Sequence, residues 1–201
     1  MLKKSFLVFG ILSVFLISCA TSKVERVSPD TQVDLSGYWN DTDVRIVANE
    51  LIESCLESKA ISQFSTNHKG KKPVVIVGSF KNMSDEHIDT VILTKKLEAA
   101  LINSGKIDFV SAASERAEIR QERLEQQDNA SEETAKALRN ETGADFMLQG
   151  SIRTIVDSDS KNTTRTYFIN AELIDIETTK KLWMDTNSSI KKIIKRSSTR
   201  F

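Results

Sequence analysis

The chain has 201 residues and carries 28 Lys and Arg against 28 Asp and Glu, so its formal net charge is zero. This balance gives no gross electrostatic preference for nucleic acid, and an aromatic content of only 6% leaves few side chains to stack on single-stranded bases. Two cysteines, Cys19 and Cys55, are too few for a disulfide scaffold. These totals predict one folded domain of ordinary size with no nucleic-acid partner.

The amino terminus has the order of parts found in a bacterial export signal. Two lysines precede an apolar run over residues 6–17, and a spanning helix of about 20 residues would need a longer run. The run ends in Leu16-Ile17-Ser18-Cys19, which resembles the bacterial lipobox. This resemblance implies a signal peptide over residues 1–18 and lipid attached to Cys19, which would hold the protein at a membrane without spanning it. The alternative is a short uncleaved anchor.

Residues 19–35 are predicted to hold the lipidated cysteine and a disordered tether, because residues 20–35 contain few apolar side chains. Fully extended, residues 20–35 reach at most about 55 Å. The folded domain is expected over residues 36–201.

The first half of the domain alternates helices with strands. Apolar residues recur at i, i+3, i+4 and i+7 from Val44 to Leu56, which predicts a helix of about 16 residues with its N-cap among Asn40–Asp43. Tyr38 and Trp39 are expected to fold back onto it. The following patterns predict a loop at Ser65–Lys72, a buried strand at Val74–Val77, a polar turn at Phe80–Asp89, a helix at Asp89–Ser104 ended by Gly105, and a strand at Ile107–Val110.

Two further helices are predicted before the sequence changes to a strand pattern. Ala112–Gln127 is strongly charged, which favours a solvated surface helix, with a partner-facing helix as the alternative. Ser131–Glu141 is predicted as a helix capped by Asn129 and ended by Gly143.

The last third of the chain alternates polar and apolar residues, as half-buried strands do. The alternation predicts a hairpin with arms at 146–152 and 167–173, joined by a long polar loop over Asp157–Arg165, and a third strand at Lys181–Asp185. Ile190–Ile194 fits either an extension of that strand or a terminal helix. The order of elements favours an α+β fold, with a mixed or antiparallel sheet of three to five strands packed with about four helices, similar to the N-terminal domain of TolB.

Catalytic and metal-binding motifs are absent from the sequence, so we expect no catalytic residue, no metal and no cofactor. Cys55 lies in the apolar stripe and is expected to be a buried small side chain; the alternative is a catalytic pair with His68 or His87. The cluster Asp85, Glu86, His87 and Asp89 could hold a cation, but acidic residues before a helix also favour its positive end.

Basic residues near the carboxyl end fit a solvated terminus, with an anionic surface as the alternative. These residues are Lys191, Lys192, Lys195, Arg196 and Arg200.

Four stretches of the sequence resemble one protein family. They are Leu35–Asp43, Val74–Asp89, Gly143–Ile152 and Tyr167–Trp183. Together they are similar to LpoB-type penicillin-binding-protein activators over residues 35–196, although the third stretch is also similar to CsgG-like and TolB N-terminal domains. The resemblance implies a lipoprotein whose periplasmic domain binds a bifunctional penicillin-binding protein, stimulates peptidoglycan synthesis and is not itself an enzyme.

Anchoring and function keep alternatives at this point. Under the enterobacterial sorting rule, Ala20 after the cysteine favours the outer membrane, facing the periplasm, whereas the short tether favours the inner membrane. The alternative functions are a CsgG-like secretion-pore subunit of the outer membrane and an enzyme of unknown type. The docking residues of the activator are expected on an exposed sheet face or on the helix Ala112–Gln127. Sequence alone does not identify them individually.

Overall fold

The computed structural model describes residues 23–196. The predicted signal peptide, Cys19, Ala20 and Arg200 therefore lie outside the described residues. Residues 23–31 form no helix or strand, and all helices and strands of the described residues lie beyond Gln32. The described helices are α1 (Asp41–Leu56), α2 (Lys59–Asn67), α3 (Thr90–Asn103) and α4 (Ala113–Asn129). The described strands are β1 (Val74–Asn82), β2 (Asp108–Phe109), β3 (Phe146–Ser158), β4 (Asn162–Asp175), β5 (Lys181–Asn187) and β6 (Lys191–Lys195).

The strands form one mixed sheet in the order β2-β1-β3-β4-β5, and β6 pairs with the part of β4 that β5 does not reach. β1 runs parallel to β2 and β3, whereas β4 runs antiparallel to β3, β5 and β6. The α+β class and the mixed sheet predicted from the sequence are confirmed. None of the described helices is long and apolar enough to cross a bilayer.

Helix α1 supplies much of the core. Its predicted apolar stripe is buried from Val44 to Cys55, and it packs against α3 and β5. Asn40 is the N-cap: its side chain accepts a hydrogen bond from the Asp43 N–H, and the Asp43 carboxylate accepts one from the Asn40 N–H at 2.9 Å. The bounds of α1 thus agree with the prediction.

Helix α3 and helix α4 also form where the sequence predicts them. Asp89 caps α3 by accepting a hydrogen bond from the Val91 N–H, and Gly105 follows α3 with a φ of 65°. No residue of α4 is buried, as its charged sequence predicts. The short strand expected at Ile107–Val110 is present as the two residues of β2.

The helix predicted at Ser131–Glu141 does not form. Helix α4 continues to Asn129, and the side chain of this expected cap donates to the Glu125 carbonyl oxygen inside α4. Leu138 is 46% exposed, so the segment buries too little apolar surface to stabilise a helix of its length. The prediction was wrong because Ala135 and Leu138, the expected contact of this helix, have no core to face.

The prediction of a long polar loop at Asp157–Arg165 was also wrong, because most of this segment is strand. The β3–β4 ladder continues to the pair Ser158 and Thr163, leaving only a short turn around Asp159. The polar arm of β4 is stable as a strand because β6 pairs with its other edge. Ile190–Ile194, which the sequence left undecided, falls mainly in strand β6.

Two boundaries differ from the sequence prediction in the first half of the domain. The expected loop at Ser65–Lys72 starts inside α2, a helix that the sequence did not reveal. The expected polar turn at Phe80–Asp89 starts later, because β1 continues to Asn82 and buries Phe80. In both places one apolar side chain, Phe64 or Phe80, packs into or against the core and extends the element.

Candidate functional site

The acidic cluster predicted before α3 is occupied by a buried arginine. Arg165 of β4 lies with its Nη1 atom 2.7 Å from Asp85 Oδ1 and 2.5 Å from Glu86 Oε1. Glu86 also accepts hydrogen bonds from the Tyr167 hydroxyl at 2.6 Å and from the Trp39 N–H at 3.0 Å. The turn after β1 is therefore held against β4 and against the opening of the domain.

Three groups of this cluster have pKa values shifted away from neutral pH. Burial would lower the pKa of Arg165, but Asp85 and Glu86 outweigh burial and raise it. Burial and the Glu86 carboxylate raise the pKa of Tyr167 far above its ordinary value. Hydrogen bonds from Thr154 and Arg165 lower the pKa of Asp85. None of these groups is poised to exchange a proton near pH 7, so the cluster stabilises structure and does not resemble an acid–base pair.

A second ion cluster fixes the segment before α1. Lys192 of β6 donates to the Tyr38 carbonyl oxygen at 2.8 Å and contacts Asp34 Oδ1 at 2.8 Å and Asp43 Oδ2 at 2.7 Å. Burial would lower the pKa of Lys192, but its hydrogen bonds to the two carboxylates raise it. The hydrogen bond from Lys192 lowers the pKa of Asp34 to about 2, whereas burial raises that of Asp43.

The first of the four stretches that resemble the family, Leu35–Asp43, thus lies as a strap across β4 and β6. Gly37 has a φ of 76°, and a Cβ there would lie 2.4 Å from Ile194 Cγ1. The Trp39 ring packs on Tyr167 of β4, with 5.2 Å between ring centroids. Tyr38 instead stays 53% exposed, with the Arg165 guanidinium 5.2 Å from its ring centroid.

The structure does not bring the candidate catalytic groups together. Cys55 is 2% exposed in the core, and burial raises the pKa of its thiol to about 12, so the expected small buried side chain is confirmed. His68 lies on the surface, stacked on Phe64, and His87 is exposed in the turn after β1. Among residues 23–196 there is no group of three or more His, Cys, Asp or Glu side chains arranged for a metal ion.

One face of the sheet offers a polar surface with a few apolar side chains. Alternate residues of β3 and β4 turn away from the core, and Gln149 donates to Glu172 across the two strands at 2.7 Å. This surface, the open sheet face, contains a depression of about 310 Å³. Its half-exposed or exposed residues are Lys81, Met147, Gln149, Ser151, Arg153, Phe168, Asn170, Glu172 and Met184.

Helix α4, the other surface expected to bind a partner, carries its arginines toward the segment that follows it. Arg120 makes two hydrogen bonds of 2.8 Å to the carboxylate of Glu141, and Arg123 lies 3.6 Å from the same group. Gln127 donates to the Lys136 carbonyl oxygen at 2.9 Å and holds the segment to the helix. A cleft of about 440 Å³ lies between them.

The sequence did not reveal the roles of Arg165 and Lys192. Both lie at strand positions where a polar loop or an undecided terminus was predicted, so no pattern placed them opposite acidic partners. A usable signal was present in the alternation of β4: Arg165 occupies the same face as Tyr167 and Ile169, which are core positions.

The fold and these surfaces define a small α+β domain with an apolar core, buried ion pairs beside it, and two uncovered surfaces that suit macromolecular contact. The family model of the peptidoglycan-synthase activator LpoB matches residues 43–189, which is more than half of the chain. The chain belongs to the LpoB family.

Solved structures of three proteins are similar to this chain. The LpoB C-terminal domain from Salmonella enterica is 17% identical with a TM-score of 0.42, and the match covers 77% of this chain and 99% of that one. The LpoB C-terminal domain from Escherichia coli is 19% identical with a TM-score of 0.33, covering 63% and 92%. Lipoprotein GNA1162 from Neisseria meningitidis is 18% identical with a TM-score of 0.38, covering 63% and 88%. No curated protein sequence matches the chain.

Proposed function

We propose that this chain binds a bifunctional penicillin-binding protein and activates it, so that it regulates peptidoglycan synthesis. The observation that carries the proposal is the family match over residues 43–189, which runs from the first turn of α1 to just past β5. The match covers nearly all of the described domain, and it favours the activator over the secretion-pore subunit.

The described surfaces support a role exercised by contact. The charged groups of the interior are paired with one another, and the open sheet face and helix α4 remain uncovered. A partner domain can cover either surface without unfolding any part of this chain. Regulation of a synthase by surface contact needs no catalytic residue, metal or cofactor in the activator.

The proposal includes a lipid anchor at Cys19 after removal of residues 1–18. Asp34 is tied to Lys192 and to Asn40, whose side chain also donates to the Val33 carbonyl oxygen, so the chain is held to the domain from Val33 onward. Residues 20–32 reach at most about 45 Å when fully extended. The sorting rule still favours the outer membrane with the domain in the periplasm, and the reach favours the inner membrane. Separation of the two membranes by density decides between them.

Crosslinking in intact cells tests the proposed partner. A short amine-reactive crosslinker should join the full-length chain to a penicillin-binding protein, identified by mass spectrometry and by labelling with a fluorescent penicillin. A strain in which Cys19 is replaced by serine serves as the control, because the unanchored chain should give less of the same product. Recovery of abundant crosslinks that contain no penicillin-binding protein would contradict the proposal.

A further inference from the structure

Helix α4 separates its charges between two faces. At about 100° per residue, Arg116, Arg120 and Arg123 lie within about 60° of one another around the helix axis. Glu118, Glu122 and Glu125 lie on the opposite side by the same count. The arginine side faces the segment after the helix, since Arg120 and Arg123 both contact Glu141. The glutamate side is exposed.

The cleft between α4 and this segment has an apolar floor and a basic rim. We call it the arginine cleft; it is lined by Arg120, Arg123, Leu124, Leu138, Arg139 and Glu141. Leu124 and Leu138 are 50% and 46% exposed, and both line this cleft of about 440 Å³. An occupant must therefore present an apolar group to this floor.

Positive charge exceeds negative charge in the arginine cleft. Three guanidinium groups face one carboxylate, and that carboxylate already accepts both hydrogen bonds of Arg120. Arg139 forms no ion pair with any described residue. Its φ of 59° is a backbone conformation that L residues rarely adopt. In the adjoining depression, the Nε atom of Arg116 is buried without a hydrogen-bond partner. The arginine cleft therefore has more guanidinium groups than carboxylates to pair with them.

The pair of Arg120 and Glu141 shows which anion the cleft accepts. A guanidinium binds a carboxylate through two parallel hydrogen bonds, and this geometry is already present at 2.8 Å. Surfaces that bind anionic membranes carry clusters of about four to eight Lys and Arg side chains, whereas the arginine cleft presents three guanidinium groups around an apolar floor. The occupant that fits is a protein segment with carboxylates on either side of an apolar side chain.

We propose that the arginine cleft binds an acidic segment of the synthase, with an apolar side chain seated between Leu124 and Leu138. This inference rests on the proposed function, because it takes the synthase as the partner. The partner's carboxylates pair with Arg123 and Arg139 at the rim. Helix α4 thus becomes a docking element, whereas its sequence favoured a solvated surface helix.

Affinity measurements with charge-reversed variants test the cleft. The full-length chain and the detergent-solubilised synthase are mixed, and their dissociation constant is measured at low and at high salt. The variant Arg123→Glu with Arg139→Glu leaves the Arg120 pair intact, and we expect it to bind at least about tenfold more weakly than the natural chain. The variant Leu124→Ser with Leu138→Ser should show a similar loss.

The matched control reverses two charges on the other side of the same helix. Glu118→Arg with Glu125→Arg should bind within about twofold of the natural chain, because these residues face away from the cleft. Circular dichroism checks folding of every variant. Since α4 buries no residue, the charge variants should keep the natural melting temperature, and the Arg123 and Arg139 variant decides the question even where the serine variant fails to fold.

The outcomes separate the cleft from the proposed function. If the natural chain binds and both cleft variants bind equally well, the cleft proposal is wrong and the activator proposal stands. If the natural chain does not bind any bifunctional penicillin-binding protein of its own organism, both are wrong. Vesicles of phosphatidylglycerol form a third arm: loss of vesicle binding with unchanged synthase binding in the Arg123 and Arg139 variant would overturn the cleft proposal in favour of a lipid surface.

Discussion

At the scale of single residues, Lys192 joins parts of the chain that lie far apart in sequence. Its ammonium group contacts Asp34 before the strap, the Tyr38 carbonyl oxygen within it and Asp43 in the first turn of α1. The side chains of Lys192 and Asp43 are 11% and 4% exposed. Removing the cation would leave a buried carboxylate with no opposite charge, which is much more costly than losing an exposed pair.

Lys192→Met should therefore lower the free energy of unfolding by about 3 kcal/mol. Adding Asp43→Asn should restore part of this loss, because the neutral amide needs no counter-charge and its oxygen can still accept the hydrogen bond from the Asn40 N–H. Lys191→Met, on the neighbouring exposed residue, is the control and should change stability by less than about 0.5 kcal/mol. Urea denaturation measures the unfolding free energy of all three variants. Equal stability of the Lys191 and Lys192 variants would show that the ion cluster around Lys192 does not stabilise the fold.

Asp34 makes the stability contributed by the ion cluster around Lys192 depend on pH. Its pKa is lowered from 3.8 to about 2, first by the hydrogen bond from Lys192. A lowered folded-state pKa contributes stability above the unfolded pKa, and this contribution is lost as the pH falls from about 4 toward 2. Asp34→Asn should flatten the decline of the melting temperature in this window, whereas Asp157→Asn on exposed β3 should not. A decline identical in both variants would argue against the Asp34 contribution.

At the scale of elements, the close approach of β1 and β3 depends on Gly150. An added Cβ at this position would lie 2.2 Å from the Asn170 backbone oxygen and 2.5 Å from Phe80 Cε1. Neither atom can move easily, because one belongs to the β3–β4 ladder and the other is a core ring. The strands must separate to admit even one methyl group.

Gly150→Ala should cost about 3 kcal/mol of unfolding free energy. Gly143→Ala is the matched control: no atom lies within 4 Å of its added Cβ, so this variant should stay within about 0.5 kcal/mol of the natural chain. Thermal denaturation compares the two variants. A Gly150 variant as stable as the Gly143 variant would show that the strands are not packed as closely as the structure indicates.

Elements with a clear apolar period were predictable from the sequence, and elements stabilised by partners distant in sequence were not. The stripe from Val44 to Cys55 specified α1, and Gly105 specified the end of α3. The polar arm of β4 looked like a loop because β6, its pairing partner, comes about thirty residues later. The segment Ser131–Glu141 looked helical because Ala135 and Leu138 have helical spacing, but no core lies opposite them.

The candidate site was predictable only in outline. The sequence singled out the helix now seen as α4 and an exposed sheet face as possible docking surfaces, and both exist. The arginine cleft depends on the fold of the segment after α4, which the sequence predicted wrongly. Its basic rim therefore could not be recognised before Glu141 and Arg139 were placed beside the helix.

At the scale of the whole molecule, the chain is a member of the LpoB family. Its α+β domain leaves two surfaces uncovered, the open sheet face and helix α4. Lys192 ties Asp34 and Asp43, on either side of the strap, to β6, so the opening of the domain is restrained against the sheet. We propose that the uncovered surfaces bring this domain against a membrane-bound synthase.

The most direct test of the account is the rate of glycan polymerisation by the purified synthase with increasing amounts of the full-length chain. The account predicts that the rate rises to a plateau as the chain is added, that the chain alone polymerises nothing, and that the Arg123→Glu and Arg139→Glu variant needs a higher concentration to reach the same plateau. A rate that stays constant at saturating chain, or turnover of lipid-linked precursor by the chain alone, would contradict it.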